Sequence, residues 1–154
     1  MKKRILSAVL LVCMVLCVLA SCGQVGEAGD VTVVIENRDG EYKVYKTYLE
    51  NVENKKNGAV GVIENLMARE ENPISADIVS STYGAYVNSI GDIVPDSSKN
   101  EYVGVYTSCE ADFSTYEGVN TIYYEDVTLK TSGVGLSFMK VEAGTVILFR
   151  IETY

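Results

Sequence analysis

Beyond its N-terminal leader, this chain has a single stretch with helical period. In "GAVGVIENLMAREE" the apolar residues Ala59, Val62, Ile63, Leu66 and Met67 fall at i, i+3, i+4, i+7 and i+8, which is one face of a helix. Glu64, Arg69, Glu70 and Glu71 make the wet side, Asn57 stands where a cap is expected, and Pro73 stops the helix. The rest of the domain reads as strand and loop. A lone amphipathic helix must bury its stripe, Met67 included, and only a sheet is available to receive it. The expected class is therefore α+β, with one helix packed on one face of a mixed sheet. The opposite face is left to be solvated, or covered by a partner or ligand.

The strands support that plan. "VTVVIEN" is β-branched, Asp39-Gly40 is a hairpin signal, and "EYKVYKTYL" returns with Tyr42, Val44 and Tyr48 on one face and Tyr45 and Leu49 on the other. This predicts a β-hairpin over residues 31–49. "GAYVNSIGDIV", "EYVGVYTS", "NTIYYEDVTLKTS" and "GTVILFRIETY" follow the helix with β-type composition. Residues 146–151 are almost continuously apolar, as a central strand is. Gly133 and Gly135 mark a turn, and "GVG" there lacks the strand-to-helix setting and the Lys of a phosphate loop. Hairpin, helix and then further strands make a β-grasp-like order.

The N-terminus has a separate meaning. Lys2, Lys3 and Arg4 precede an apolar run over residues 5–20, too short for a usual bilayer span and placed as a secretory leader is. Leu19-Ala20-Ser21-Cys22 resembles the bacterial lipobox at every position. That resemblance implies cleavage before Cys22 and a diacylglyceryl group on its thiol. Residues 1–21 are then a lipoprotein signal peptide, the Gly-rich acidic residues 22–30 a flexible tether, and 31–154 the domain. Two or more acyl chains hold a protein stably, each buried CH₂ contributing about 0.8 kcal/mol. The expected location is the extracytoplasmic face of the cell membrane, with membrane lipid as the partner of Cys22. Cys13 and Cys17 leave with the leader, so Cys109 has no partner for a disulfide and reads as a small half-buried residue. Loss of the leader's cations takes the net charge from −8 to −11. So acidic a surface excludes nucleic acid as a partner.

No chemical motif stands out. The chain has no His and no Trp, which removes zinc sites and His-based nucleophile pairs. No catalytic residue, metal ligand or cofactor is expected, and the chain does not read as an enzyme. Carboxylates occur in pairs, Asp92 with Asp96, Glu110 with Asp112 and Glu125 with Asp126. They leave open an alternative, an envelope glycan-processing enzyme, as a further reading leaves open a structural component of an envelope complex. Tyrosine is the conspicuous residue, with eleven against three Phe, and it combines an apolar face with a polar tip. Tyr83, Tyr86, Asn88, Tyr102 and Tyr106 are the candidate ligand-binding residues. Alternation places Tyr86, Asn88 and Ile90 on one face and Tyr102 with Tyr106 on one face of a neighbouring strand. The ligand would be a small molecule or glycan, the partner otherwise an envelope protein.

Several short elements carry a family resemblance. They are the helix segment "VIENLM", the element Gly84-Ala85-Tyr86-Val87-Asn88-Ser89-Ile90-Gly91, the strand Tyr102-Val103-Gly104-Val105-Tyr106, and the closing Val141-Glu142-Ala143-Gly144-Thr145-Val146. Together they resemble the transcobalamin-like C-terminal domain of bacterial surface proteins over residues 31–153. The family's usual Trp is absent here, and Thr145 stands in place of its closing Asp. The resemblance implies a β-grasp-like lid module. It would take a cobalamin-like ligand only where a partner domain supplies the other half of the site.

Overall fold

The structure is a computed structural model that describes residues 28–154. The leader, Cys22 and most of the tether lie outside the described residues. Strand β1 (Val31–Glu36) turns back into β2 (Tyr42–Thr47) as the Asp39-Gly40 signal predicts, and Gly40 takes φ 80° in the turn. The Asn37 side chain accepts from the N–H groups of Asp39 and Glu41, which holds the loop. Helix α1 (Ala59–Met67) comes next, then β3 (Ala76–Ser81) and β4 (Gly84–Ile90). The chain ends with β5 (Glu101–Thr107), β6 (Thr121–Tyr124), β7 (Val127–Thr131) and β8 (Val146–Thr153).

Six strands form one sheet in the order β2-β1-β8-β5-β7-β6, and β3 with β4 makes a separate hairpin. The apolar β8 is central as expected, parallel to β1 on one side and antiparallel to β5 on the other. Helix α1 lies on one face. Val62, Ile63 and Leu66 are fully buried there against Val33, Ile35, Ile147 and Phe149, and the β3–β4 hairpin covers the remainder through Ala85, Val87 and Ile90. Burying a Leu or Ile side chain contributes about 1.5–3 kcal/mol, so this aliphatic layer holds the fold.

The other face differs from expectation. It is not left open, because the sheet curls until its two edges meet. The Tyr42 ring on β2 stands edge-on to Tyr124 on β6, centroids 5.3 Å apart. Val34, Tyr106, Leu129, Val146 and Leu148 form a second core inside the curl. The segment "NTIYYEDVTLKTS", β-type in composition, forms the β6–β7 hairpin that does the covering, and Glu125-Asp126 is its turn, with Glu125 at φ 51°.

Smaller expectations also change. The helix ends at Met67, which is exposed rather than buried in the stripe, and Gly58 at φ 56° takes the cap position in place of Asn57. A Cβ on Gly58 would meet the Met139 carbonyl oxygen at 2.5 Å. Close packing of the 136–139 turn under the helix start therefore decides the residue there.

Candidate functional site

A groove of about 510 Å³ opens where β4 passes beside the start of β5. Its walls are Tyr86, Val87, Asn88 and Ser89 on one side, Tyr102 and Val103 on the other, with Val94, Pro95 and Ser97 closing the end. Its size falls within the range of small-molecule sites, roughly 300–1,000 Å³. The two strands come alongside as chain order implies, but β4 ladders only with β3. The gap between the two unladdered strands is the groove.

Tyr86, Asn88 and Tyr102, three of the five candidate residues, meet in this groove. Tyr86 is 49% exposed, Tyr102 43% and Val94 64%, so two phenol rings and an aliphatic tip are presented together. Tyr102 is steadied by Tyr154, whose ring lies 5.7 Å away. Burial, and then the nearby Glu152 carboxylate, push the Tyr102 phenol above its ordinary pKa. Asn88 Nδ2 donates to Asp77 Oδ2 at 2.9 Å across the β3–β4 hairpin, leaving the amide oxygen as an acceptor for a guest.

Beneath the groove lies a rigid ionic floor. Arg38, from the β1–β2 turn, grips Glu101 with both terminal nitrogens at 2.8 and 2.7 Å and donates to the Val94 carbonyl at 3.1 Å. The Asp96 N–H donates to the same carboxylate at 2.7 Å. The Arg38 fork, and then this backbone donor, hold Glu101 at a pKa of about 2. Such bidentate, charge-assisted bonding fixes geometry. Asp96 also accepts from the Ser98 N–H and hydroxyl, with Lys99 Nζ at 3.2 Å. Its carboxylate is therefore a turn cap, not half of an acid–base pair with Asp92, which lines a separate small cleft beside Tyr42 and Lys43.

The other two candidates are elsewhere. Tyr83 is 87% exposed in the turn between β3 and β4, at the opposite end of β4 from the groove. Tyr106 is buried on the sheet face away from the helix. Alternation did put Tyr102 and Tyr106 on the same face, but the curl encloses one end of that face and spares the other. The Tyr106 hydroxyl donates to Glu152 Oε1 and accepts from Asn120 Nδ2 at 3.3 Å. Burial and the Glu152 contact drive its pKa to about 12. Gly104, between the two tyrosines, makes this contact possible, since a Cβ there would meet Glu152 Cγ at 2.6 Å. Arg150 completes the cluster, with a hydrogen bond to Glu36 Oε2 at 3.2 Å. Its Nε lies 3.1 Å from Glu152 Oε1 without hydrogen-bond geometry.

The grouping of Tyr86, Asn88 and Ile90 on one face also fails. The β3–β4 register passes from Asp77↔Ser89 to Ile78↔Val87, leaving Asn88 as a bulge. Ile90 therefore turns into the core while Asn88 stays out. Val94, Pro95 and Arg38 were missed in the sequence, where only the Pro hinted at a built turn. Asp112 is buried and accepts from the Lys140 N–H at 2.6 Å, a structural tie and not a partner for Glu110. Among the described residues no group of three or more His, Cys, Asp or Glu side chains could hold a metal ion.

No family model and no curated protein matches the chain. Among solved structures it is similar to a protein from Ruminococcus gnavus ATCC 29149 described as a "putative metal binding protein", with 14% identity and a TM-score of 0.54. The alignment covers 82% of this chain and 99% of that one. At this identity the likeness is one of fold.

Proposed function

We propose that this protein is a lipid-anchored extracytoplasmic module, held to the cell membrane by Cys22, that binds a small ring-bearing molecule or glycan in the β4–β5 groove. The observation that carries the binding half is the convergence of Tyr86, Tyr102, Asn88 and Val94 on one concave surface. Half-exposed phenol rings stack on flat apolar faces while their hydroxyls stay wet, and Asn88 adds a directional acceptor. The anchoring half rests on the complete lipobox behind a basic, apolar leader. Among the described residues no helix is long and apolar enough to cross a membrane, which is consistent with anchoring by lipid. The topology supports a β-grasp-like assignment, with a leading hairpin, a crossing helix and a last strand parallel to the first. It thereby supports the transcobalamin-like resemblance. A cobalamin-like ligand would need a second domain to close over the groove.

The module is read as non-enzymatic. Of the groove's two acids, Glu101 is clamped by Arg38 and ionised above pH of about 2, so it cannot act as a general acid near neutrality. Asp77 is tied to Asn88. Among the described residues no cluster of three or more His, Cys, Asp or Glu side chains supports carrying over the metal binding named for the R. gnavus protein.

The test has two arms. The full chain and its Cys22→Ala variant are expressed in a bacterium with labelled fatty acid. Only the former should take up label and partition with membranes, and a wild type released unlabelled removes the anchor. The purified protein is then titrated with N-acetylglucosamine oligosaccharides and with cyanocobalamin, followed by NMR. Shifts should cluster at Tyr86, Asn88 and Tyr102 and disappear in Tyr102→Ala. Binding that survives Tyr102→Ala, or shifts centred elsewhere, rejects the groove.

A further inference from the structure

We infer that the end of the domain at which the tether enters is a membrane-contact surface, seated in the headgroup region of the bilayer that holds Cys22. This rests on the lipoprotein reading. It adds an orientation that the anchor alone does not supply.

The strand ends define that surface. The pairs Val31↔Thr47, Thr32↔Val146, Thr107↔Ile147 and Tyr106↔Thr131 put the start of β1, the ends of β2, β5 and β7 and the start of β8 at one end of the sheet. Residues 132–145, which join β7 to β8, therefore leave and return at that end. They also touch the tether's last residue, since the Gly144 N–H donates to the Asp30 carbonyl at 2.6 Å. Three close approaches fix what this segment gathers. A Cβ on Gly133 would meet Ser114 Cα at 2.9 Å, one on Gly135 the Tyr83 carbonyl oxygen at 2.6 Å, and one on Gly84 the Phe138 ring at 3.0 Å. The turns bearing Tyr116 and Tyr83 are thus strung along the segment that bears Val134 and Phe138.

All four side chains point outward. Tyr83 is 87% exposed, Tyr116 81%, Phe138 64% and Val134 39%. An exposed Phe between two exposed Tyr is costly in water. It is ordinary at a membrane interface, where aromatic rings lie at headgroup depth. The local charge is mixed. Lys55 and Lys56 precede the helix start that rests on the 136–139 turn. Lys140 is paired with Glu142 at 3.2 Å, and the Asp112 and Asp30 carboxylates are turned onto the backbone N–H groups of Lys140 and Leu49. Glu110, Glu117 and Glu142 face out, as do Glu50 next to Leu49 and Glu70 and Glu71 beside Ala28 of the tether, so this end suits neutral rather than anionic headgroups.

Chain length selects the bilayer as occupant. From Cys22 to Asp30 is eight residues, which reach at most about 28 Å whatever their conformation. A domain of this size has a radius of gyration of about 14 Å, so the path round to its far end is roughly 55 Å. The tether keeps the near end within about 28 Å of the membrane and cannot bring the far end there. The groove, at the start of β5, then faces away from the bilayer.

The absence of Trp makes the test clean. Phe138→Trp, Tyr116→Trp and Tyr154→Trp are made singly in the lipidated full chain. Each is reconstituted on phosphatidylcholine vesicles, with and without bromine at the upper acyl positions, and flotation is scored in the same samples. The proposal expects all three to float, the Trp at 138 and 116 to shift to the blue and lose at least half its emission to bromine, and the Trp at 154 to do neither. Vesicles that float with no quenching at 138 and 116 overturn the contact surface while leaving the anchor standing. This outcome would hand those aromatics to a protein partner or a second copy. Equal quenching at 154 overturns the orientation. Failure to float removes the anchor and this inference with it.

Discussion

Strand β5 sends Val103 and Val105 toward one core and Tyr106 into another, and the two are built from different chemistry. On the helix side the layer is mostly aliphatic, with Ile63, Leu66, Ile90, Ile147 and Phe149 at 0% exposure, and Tyr45, with Lys43 over its ring, is its one buried phenol. It is held chiefly by burial. Within the curl, aliphatic residues surround a tyrosine whose hydroxyl is tied to Glu152 and Asn120, next to an Arg150 that bridges to Glu36. That side depends on its polar groups finding partners, because an unsatisfied one costs more than a good bond contributes, and Arg150 Nε, with Glu152 near but no hydrogen bond, bears that cost. The helix face sets how stable the domain is. The curled face sets how the sheet closes, and therefore which end of β5 is left free for a groove.

This contrast can be broken most forcefully from the helix side. Ile63→Ala should lower unfolding stability by about 2–5 kcal/mol in denaturant melts, as buried aliphatic truncations do. A loss below 1 kcal/mol would deny that layer its role. On the curled side, Tyr106→Phe should cost about 1–3 kcal/mol, since Glu152 and Asn120 lose a partner while volume is kept. The same hydroxyl supplies an alkaline test. Its folded pKa of about 12 is above the ordinary 10. The stabilisation is therefore complete below pH 10 and lost as pH rises from 10 through 12. Phenolate absorbance should show Tyr106 ionising after the exposed tyrosines, and a titration with none ionising late rejects the buried assignment.

A third measurement concerns the groove floor, which belongs to neither core. The Glu101 pKa falls from the usual 4.5 to about 2. Its contribution is thus present above pH 4.5 and fades as pH drops through 2. The melting temperature should decline across that window, and Arg38→Ala should flatten the decline. An unchanged slope would show that the clamp does not set the carboxyl's pKa. The smallest effect is expected at Tyr102. With its ring half-exposed, Tyr102→Ala should shift stability by less than about 1 kcal/mol while costing ligand about 1–3 kcal/mol. Unfolding on this change would assign the ring to the core.

The sequence made the helix, the hairpin and central β8 legible because each rests on local pattern: one period of 3.6, one Asp-Gly turn, one apolar run. It also brought Tyr86, Asn88 and Tyr102 into a shared list of candidates. What it hid was non-local. The curl depends on Tyr42 meeting Tyr124 across the whole width of the sheet, and nothing in either neighbourhood announces that meeting. Without the curl, Tyr106 looks like Tyr102. The bulge at Asn88 was hidden for a similar reason, since a register shift lives in the pairing with β3. β3 itself, "ADIVSS", was not expected as a strand because half its residues are polar.

The parallel pairing of β1 with β8 has a consequence for how the chain folds as it is made. Glu36 and its partner Arg150 are 114 residues apart, so the central ladder joins nearly the first and last segments of the domain to be made. Until the final strand has emerged, β1 and β5 have no neighbour between them, and neither core can close. Such distant pairing makes folding slow. A chain in this state stays open and threadable until that strand arrives, which would suit the export that the proposed lipid anchor requires. It also means that loss of residues 146–154 would remove the middle of the sheet and not its edge.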